Sequence, residues 1–128
     1  MSARSPFQYA ALQLVPRVER GERVNAGVVL FCRPLRFLGA RTQLDEVLLG
    51  ALSPNCDPAA VREQLRVMEL IAAGDAAGGP IAALPASERF HWLVAPASTI
   101  VQPGPVHTGL TSDPAAELDH VFAKLVER

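Results

Sequence analysis

Three short stretches hold the residues whose types and spacing could do chemistry. In VPRVERGERVNAGVVLF, Glu22, Arg23 and Asn25 lie where a turn feeds an apolar run. Packing of that run would fix how they point. Asn25 beside Gly27 on a covered strand requires a hydrogen-bond partner. Gly27 leaves room for a helix or a ligand to come close, and tight packing is the plainer use of that room. The whole cluster also reads as a solvated hairpin end whose charges compensate one another. In ERFHWL, strand alternation places Arg89 and His91 on one face, a pair suited to phosphate or carboxylate and equally to a structural network with a carboxylate such as Glu22. In VHTGL, His107 leads the acid–base candidates because imidazole titrates near neutrality. Gly109 can expose backbone N–H groups beside it. A histidine in a loop is also a common hydrogen-bond anchor.

An enzyme assembled from these residues would bind an anion with Arg23 and Arg89 and move a proton with His107. Glu22 and Asn25 would orient the groups. Its catalytic candidates are therefore His107 and Glu22, and its ligand-binding candidates Arg23, Asn25, Arg89 and His91. Ser98 and Thr108 become nucleophiles only with a base beside them. His120 falls outside its helix stripe and reads as surface or interface. The three histidines have no regular spacing and no convergent Asp, so neither a metal site nor a cofactor is expected. No phosphate loop, His-Glu-x-x-His, paired Cys-x-x-Cys or nucleophile elbow is present.

The elements that must position these residues follow from periodicity and punctuation. Phe7 to Val15 reads as a first strand, ended or marked as an edge by Pro16. Gly21 is free to take a left-handed turn. Val24 to Arg33 is the strongest strand, with Val24, Ala26, Val28, Leu30 and Cys32 on one face and Asn25, Gly27, Val29, Phe31 and Arg33 on the other. A turn at Pro34 returns a third strand through Phe37, Leu38 and Ala40, an antiparallel meander. DPAAVREQLRVMELIAAG predicts a helix capped by Asp57, opened by Pro58 and stopped near Gly74, with Val61, Leu65, Met68 and Ala72 inward. GDAAGGPIAALP reads as a loop with one short helical turn, and ERFHWLVAP as a strand. STIVQPGPVHTGL is extended but broken by Pro103 and Pro105, hence edge or loop. DPAAELDHVFAKLV predicts a second helix, capped by Asp113, with Leu118, Val121, Phe122 and Leu125 buried. The expected fold is α+β, an antiparallel sheet covered by two main amphipathic helices.

Composition sets the bounds. The 128 residues suit one domain, 1–128, and 49% hydrophobic content suits a packed core. Twelve basic and thirteen acidic side chains leave a net charge of −1. No general field steers the molecule to nucleic acid or anionic membrane, and aromatics at 5% are too few for a base-stacking platform. Cys32 and Cys56 lack metal spacing and read as thiols in a reducing compartment. The first residues carry no secretory apolar run, and nothing reaches the roughly twenty apolar residues of a membrane span. A cytoplasmic protein is expected.

VPRVERGERVNAGVVLFC, ERFHWLVAPASTIVQPGPVHTGL and the DPAAELDHVF helix resemble the bacterial proteins catalogued as domain of unknown function 3037. The likeness covers nearly the whole chain, and the middle, Gln43 to Pro85, adds little to it. The resemblance points to Gly21, Glu22, Asn25, Gly27, Arg89, Pro96, Ser98, His107, Gly109 and Asp113 as positions matching recurring patterns. It brings no established reaction. It implies a protein partner, since some members are encoded beside kinases resembling the toxins of persistence toxin–antitoxin pairs. Balanced charge, a short chain and the lack of an assembled catalytic motif favour a small interaction or accessory module. The alternative is an enzyme or binding domain for a phosphorylated or anionic substrate, such as a nucleotide or nucleic-acid end. Convergence of Glu22, Asn25, Arg89 and His107 in one cleft would separate the two. A homodimer through the edge near Val101 to Leu110 would cover an exposed strand.

Overall fold

A computed structural model describes residues 3–97 and 99–127. Ser98 therefore lies outside the described residues. Five strands form one antiparallel sheet: Ser5–Leu14 (β1), Val24–Cys32 (β2), Phe37–Thr42 (β3), Val101–Pro103 (β4) and His107–Thr111 (β5). Helices Glu46–Leu52 (α1), Pro58–Ala73 (α2), Ala86–Leu93 (α3) and Pro114–Leu125 (α4) pack against it. The fold is α+β, with α2 and α4 the longest covering helices. β1, β2 and β3 make the meander, and β4 and β5 lie one after the other along the outer side of β1. Among the described residues no helix is long and apolar enough to cross a membrane.

The helix limits follow from capping chemistry. Asp57 accepts from the Ala59 N–H and Asp113 from the Ala116 N–H, each just before a proline whose missing N–H is harmless in the first turn. Gly74 closes α2 in the left-handed conformation. The small segment α1, capped by Asp45, stands where no element is expected, because seven residues around Gly50 carry too little periodicity to read. The Gly-rich stretch holds two 3-10 turns, Ala76–Gly78 and Pro80–Ala83, in place of one.

ERFHWL is a correction: it lies in α3, not in a strand. Its buried residues are Phe90 and Leu93, with Ala86 packed beside them, which is helical spacing, whereas Trp92 is left exposed. Six residues of mixed apolar and polar type satisfy both periods, and tertiary packing chose the helix. Phe90 stacks on Phe31 of β2 at 5.2 Å, fixing α3 to the sheet. Arg89 and His91 consequently do not share a face.

The two sheet faces bury different helices. Phe7, Val28, Leu30 and Cys32 pack under Leu118, Val121 and Phe122 of α4. Ala10, Leu12, Val29 and Phe31 pack under α2 and α3. Regular alternation would keep Ala26 with Val28, but Ala26 lies with Leu14, Val61 and Leu65 on the α2 side. The cause is a β-bulge. Leu12 pairs with Gly27 and Gln13 with Asn25, so Ala26 is an extra residue on β2. Beyond the bulge the faces exchange, and Asn25 turns to the α4 side. Gly27 fills its own space against β3: a Cβ there would meet the Arg41 carbonyl oxygen and Thr42 Cγ2 at 2.9 Å. The room is taken by the neighbouring strand. Gly27→Ala should cost about 1–3 kcal/mol of stability, measured as a fall in the urea midpoint with an unchanged slope.

Candidate functional site

The α4 side of the sheet has an uncovered strip at its β5 edge. Pro105 has no N–H to offer a ladder, and the chain leaves regular pairing from Gly104 to Val106 between β4 and β5. The gap opens a cleft of about 250 Å³ lined by Tyr9, Ala11, Gln13, Asn25, Pro105, His107 and Leu125. A second hollow of about 330 Å³, which includes Arg23 and Gln102, shares Pro105 with it.

A polar relay crosses the two. Arg23 Nη1 donates to Gln13 Oε1 at 3.3 Å, Gln13 Nε2 to Asn25 Oδ1 at 3.1 Å, and Asn25 Nδ2 to the Leu125 carbonyl at 3.2 Å. The orientation of both amides is determined at both ends. A backbone carbonyl only accepts and a guanidinium only donates, so each amide must place nitrogen toward α4 and oxygen toward Arg23. The Leu125 carbonyl belongs to the last turn of α4, where helical partners run out, so Asn25 also anchors that helix end. His107 lies opposite Tyr9 in the β1–β5 register, with ring centroids 5.3 Å apart. Next along the pair, the Phe7 ring covers Gly109, where a Cβ would meet Phe7 Cζ at 2.6 Å.

Asn25 and His107 line one cleft, Arg23 reaches it from the neighbouring hollow through Gln13, and the other candidates lie apart. Glu22 forms an ion pair with Arg20. Arg89 donates to the carbonyls of Ile71 at 2.9 Å, Ala72 at 2.7 Å and Leu84 at 2.9 Å. It closes the C-terminal end of α2 on the opposite side of the sheet, a placement that suits a cation. His91 and His120 are exposed on α3 and α4, and Thr108 is exposed on β5. Gly21 makes the turn before β2 with φ 70°. Among the described residues no three His, Cys, Asp or Glu side chains are placed to hold a metal. Cys32 is buried with Sγ facing the Pro6 carbonyl, and Cys56 is a half-buried free thiol.

Sequence reasoning missed Gln13 and Tyr9 as site residues. Their parity was the available signal: Phe7, Tyr9, Ala11 and Gln13 share one face of β1, so Gln13 is a polar group on a half-buried face. Another hollow, about 500 Å³ between the end of β3 and α2, is lined by charges already closed on one another. Arg62 pairs with Glu46, Arg66 with Glu63, and Thr42 donates to Glu69. The bonds from Arg66 hold the Glu63 carboxyl below the usual glutamate range and push the Arg66 guanidinium up.

The fold and the cleft define a sheet-and-helix domain with a donor-rich open edge. Residues 9–126 match the family described as Protein of unknown function (DUF3037), and the chain belongs to that family. Comparison with curated proteins and with solved structures finds no match.

Two outcomes test these assignments. Arg89→Ala should lower stability by about 2 kcal/mol through the loss of two carbonyl bonds at the end of α2 and one to Leu84, and Arg89→Lys should restore little of it, because a point-like ammonium cannot reproduce the guanidinium fork. Calorimetric unfolding reads both. Arg66→Met should let Glu63 titrate closer to an ordinary glutamate by carboxyl NMR. With the lowered value in the folded state, the pair's small contribution is present above the unfolded carboxylate range and disappears as pH falls through the folded value.

Proposed function

We propose that this protein is an interaction module that receives an extended segment of a partner protein along the outer edge of β5. One observation carries the reading. Among the described residues β5 pairs only with β1, and beside its open edge Val106 and Leu110 remain 41% and 58% exposed. An unpaired row of backbone groups flanked by apolar side chains is the surface that strand addition uses, with main-chain bonds for affinity and side-chain contacts for selection. The opposite edge strand, β3, is flanked by α2 and α4 and carries the charged Arg41, both features that discourage pairing.

The anionic-substrate enzyme has less support. It needs Glu22 and Arg89 beside His107, and the first is paired with Arg20 while the second serves the end of α2. A second copy of this chain could occupy the same edge, and that gives a different experimental result.

The test is recovery of the tagged full chain with its bound proteins, beginning with the toxin-like kinase that the family resemblance implies. A stoichiometric partner that is lost on Leu110→Lys, with stability changed by no more than about 0.5 kcal/mol as for ordinary surface substitutions, supports the reading. Partner binding that is indifferent to Leu110→Lys and Val106→Lys places the contact elsewhere. A dimer by light scattering that dissociates in the same variants assigns the edge to self-association.

A further inference from the structure

The cleft beside β5 and the hollow next to it carry no carboxylate and several unused N–H donors. Each amide oxygen of the relay already accepts an internal bond: Gln13 Oε1 from Arg23 and Asn25 Oδ1 from Gln13. Each oxygen keeps one further acceptor site, and the free donors outnumber these sites. The donors are the second N–H of each amide and the other N–H groups of Arg23, with the phenol of Tyr9 and the imidazole of His107 able both to donate and to accept. No Asp or Glu lines either hollow. Arg23 forms no ion pair among the described residues, a state it shares with Arg17, Arg33 and Arg36, but of these it alone lines one of the two hollows. The groove thus offers donors and an uncompensated cation to whatever enters it.

From this we infer that the Arg23–Gln13–Asn25–His107 groove selects acidic side chains, binding the carboxylates of the extended partner segment docked at β5. The inference rests on the interaction-module reading and adds the chemistry of the partner. A peptide fits better than a nucleotide or a nucleic-acid strand. Arg23 is the single guanidinium, it lines a different hollow from His107, and the surroundings are prolines and exposed aliphatics. They do not form a phosphate-binding nest. Val106 and Leu110 suit the alternate apolar side chains of such a segment, and the amide donors reach a carboxylate without needing a matching acceptor. The net charge of −1 means that attraction must be local.

The experiment titrates the isotope-labelled full chain with a blocked peptide of alternating Glu and Val, with its Gln/Val counterpart, and with inorganic phosphate and ADP as separate probes. The side-chain amide signals of Gln13 and Asn25 report the groove, and backbone amides of β5 report the edge. Saturable movement of both sets by the Glu/Val peptide is expected. Binding should be about tenfold weaker for the Gln/Val peptide, and Arg23→Gln should weaken the Glu/Val complex by a similar factor. His107→Gln provides an independent variant on the other side of Pro105, and a smaller loss is expected there. Raising the salt should weaken the Glu/Val complex more than the Gln/Val complex.

Equal binding of both peptides, with movement confined to β5, overturns the acidic selectivity and leaves strand docking intact. So does an affinity for the Glu/Val peptide that Arg23→Gln leaves unchanged. Movement of Gln13 and Asn25 by phosphate or ADP with both peptides silent overturns the interaction-module reading as well and assigns the groove to small anions. Silence of both amides toward the Glu/Val peptide also overturns the inference.

Discussion

A single extra residue in β2 decides which side of the sheet each polar group at its entrance faces. Ala26 has no partner of its own in the β1 register, and past it the alternation changes phase. Without that change Asn25 would enter the apolar layer of Leu14, Val61, Leu65 and Val101 beneath α2, away from the Leu125 carbonyl. With it, Ala26 fills that layer and Asn25 meets the end of α4. The bulge is therefore a packing solution and a site-building step at once. The Gln43 N–H donates to the Ala26 carbonyl at 2.7 Å, so the distortion leaves that carbonyl satisfied.

The second constraint is the pair of prolines in the edge strand. A continuous strand from Val101 to Thr111 would pair along all of β1 and close the space beside Ala11 and Gln13. Pro103 and Pro105 divide it, and the Gly104 N–H is held by the Ala11 carbonyl at 2.8 Å. β4 and β5 thus remain on one edge while the step between them opens. The prolines need no partner of their own, because the N–H that each lacks would have had to find one. The cost of the cleft is the loss of a few ladder bonds at an edge, where such losses are tolerated.

Much of the fold was legible because its signals were local. The meander, the two capped helices and the broken edge strand each follow from period, cap or breaker within a dozen or so residues. The strand assignment of ERFHWL failed for the opposite reason. The choice between periods was made by Phe31 and by the carbonyls of Ile71 and Ala72, none of which is near in sequence. The site was half legible. Asn25 was singled out as needing a partner, but the partner is a carbonyl 100 residues away. The face on which Asn25 lies depends on a register shift that leaves no mark in residue type. Gln13 went unrecognised because a single glutamine in a strand looks like any exposed position until its parity with Phe7 and Tyr9 is weighed.

The division of polar groups between the two faces bears directly on function. Arg89 and His107 are the cation and the proton carrier that one active site would require, yet α3 covers the side of the sheet opposite the His107 cleft. Face-to-face layers stand about 10 Å apart with a packed core between them. Proton transfer needs groups within hydrogen-bond reach or one water apart. Rotamer changes cannot bridge a filled sheet, because Ala10, Leu12, Val28 and Val29 have no exposed surface at all. A conformational change large enough to join the two would have to dismantle the β1–β2 pairing that holds every other element. The groups that do converge, Arg23, Gln13, Asn25 and His107, are held on strands rather than mobile loops, apart from Arg23 at the entrance of β2. Side chains held on strands lose little freedom when a ligand meets them, which is what the proposed docking role needs.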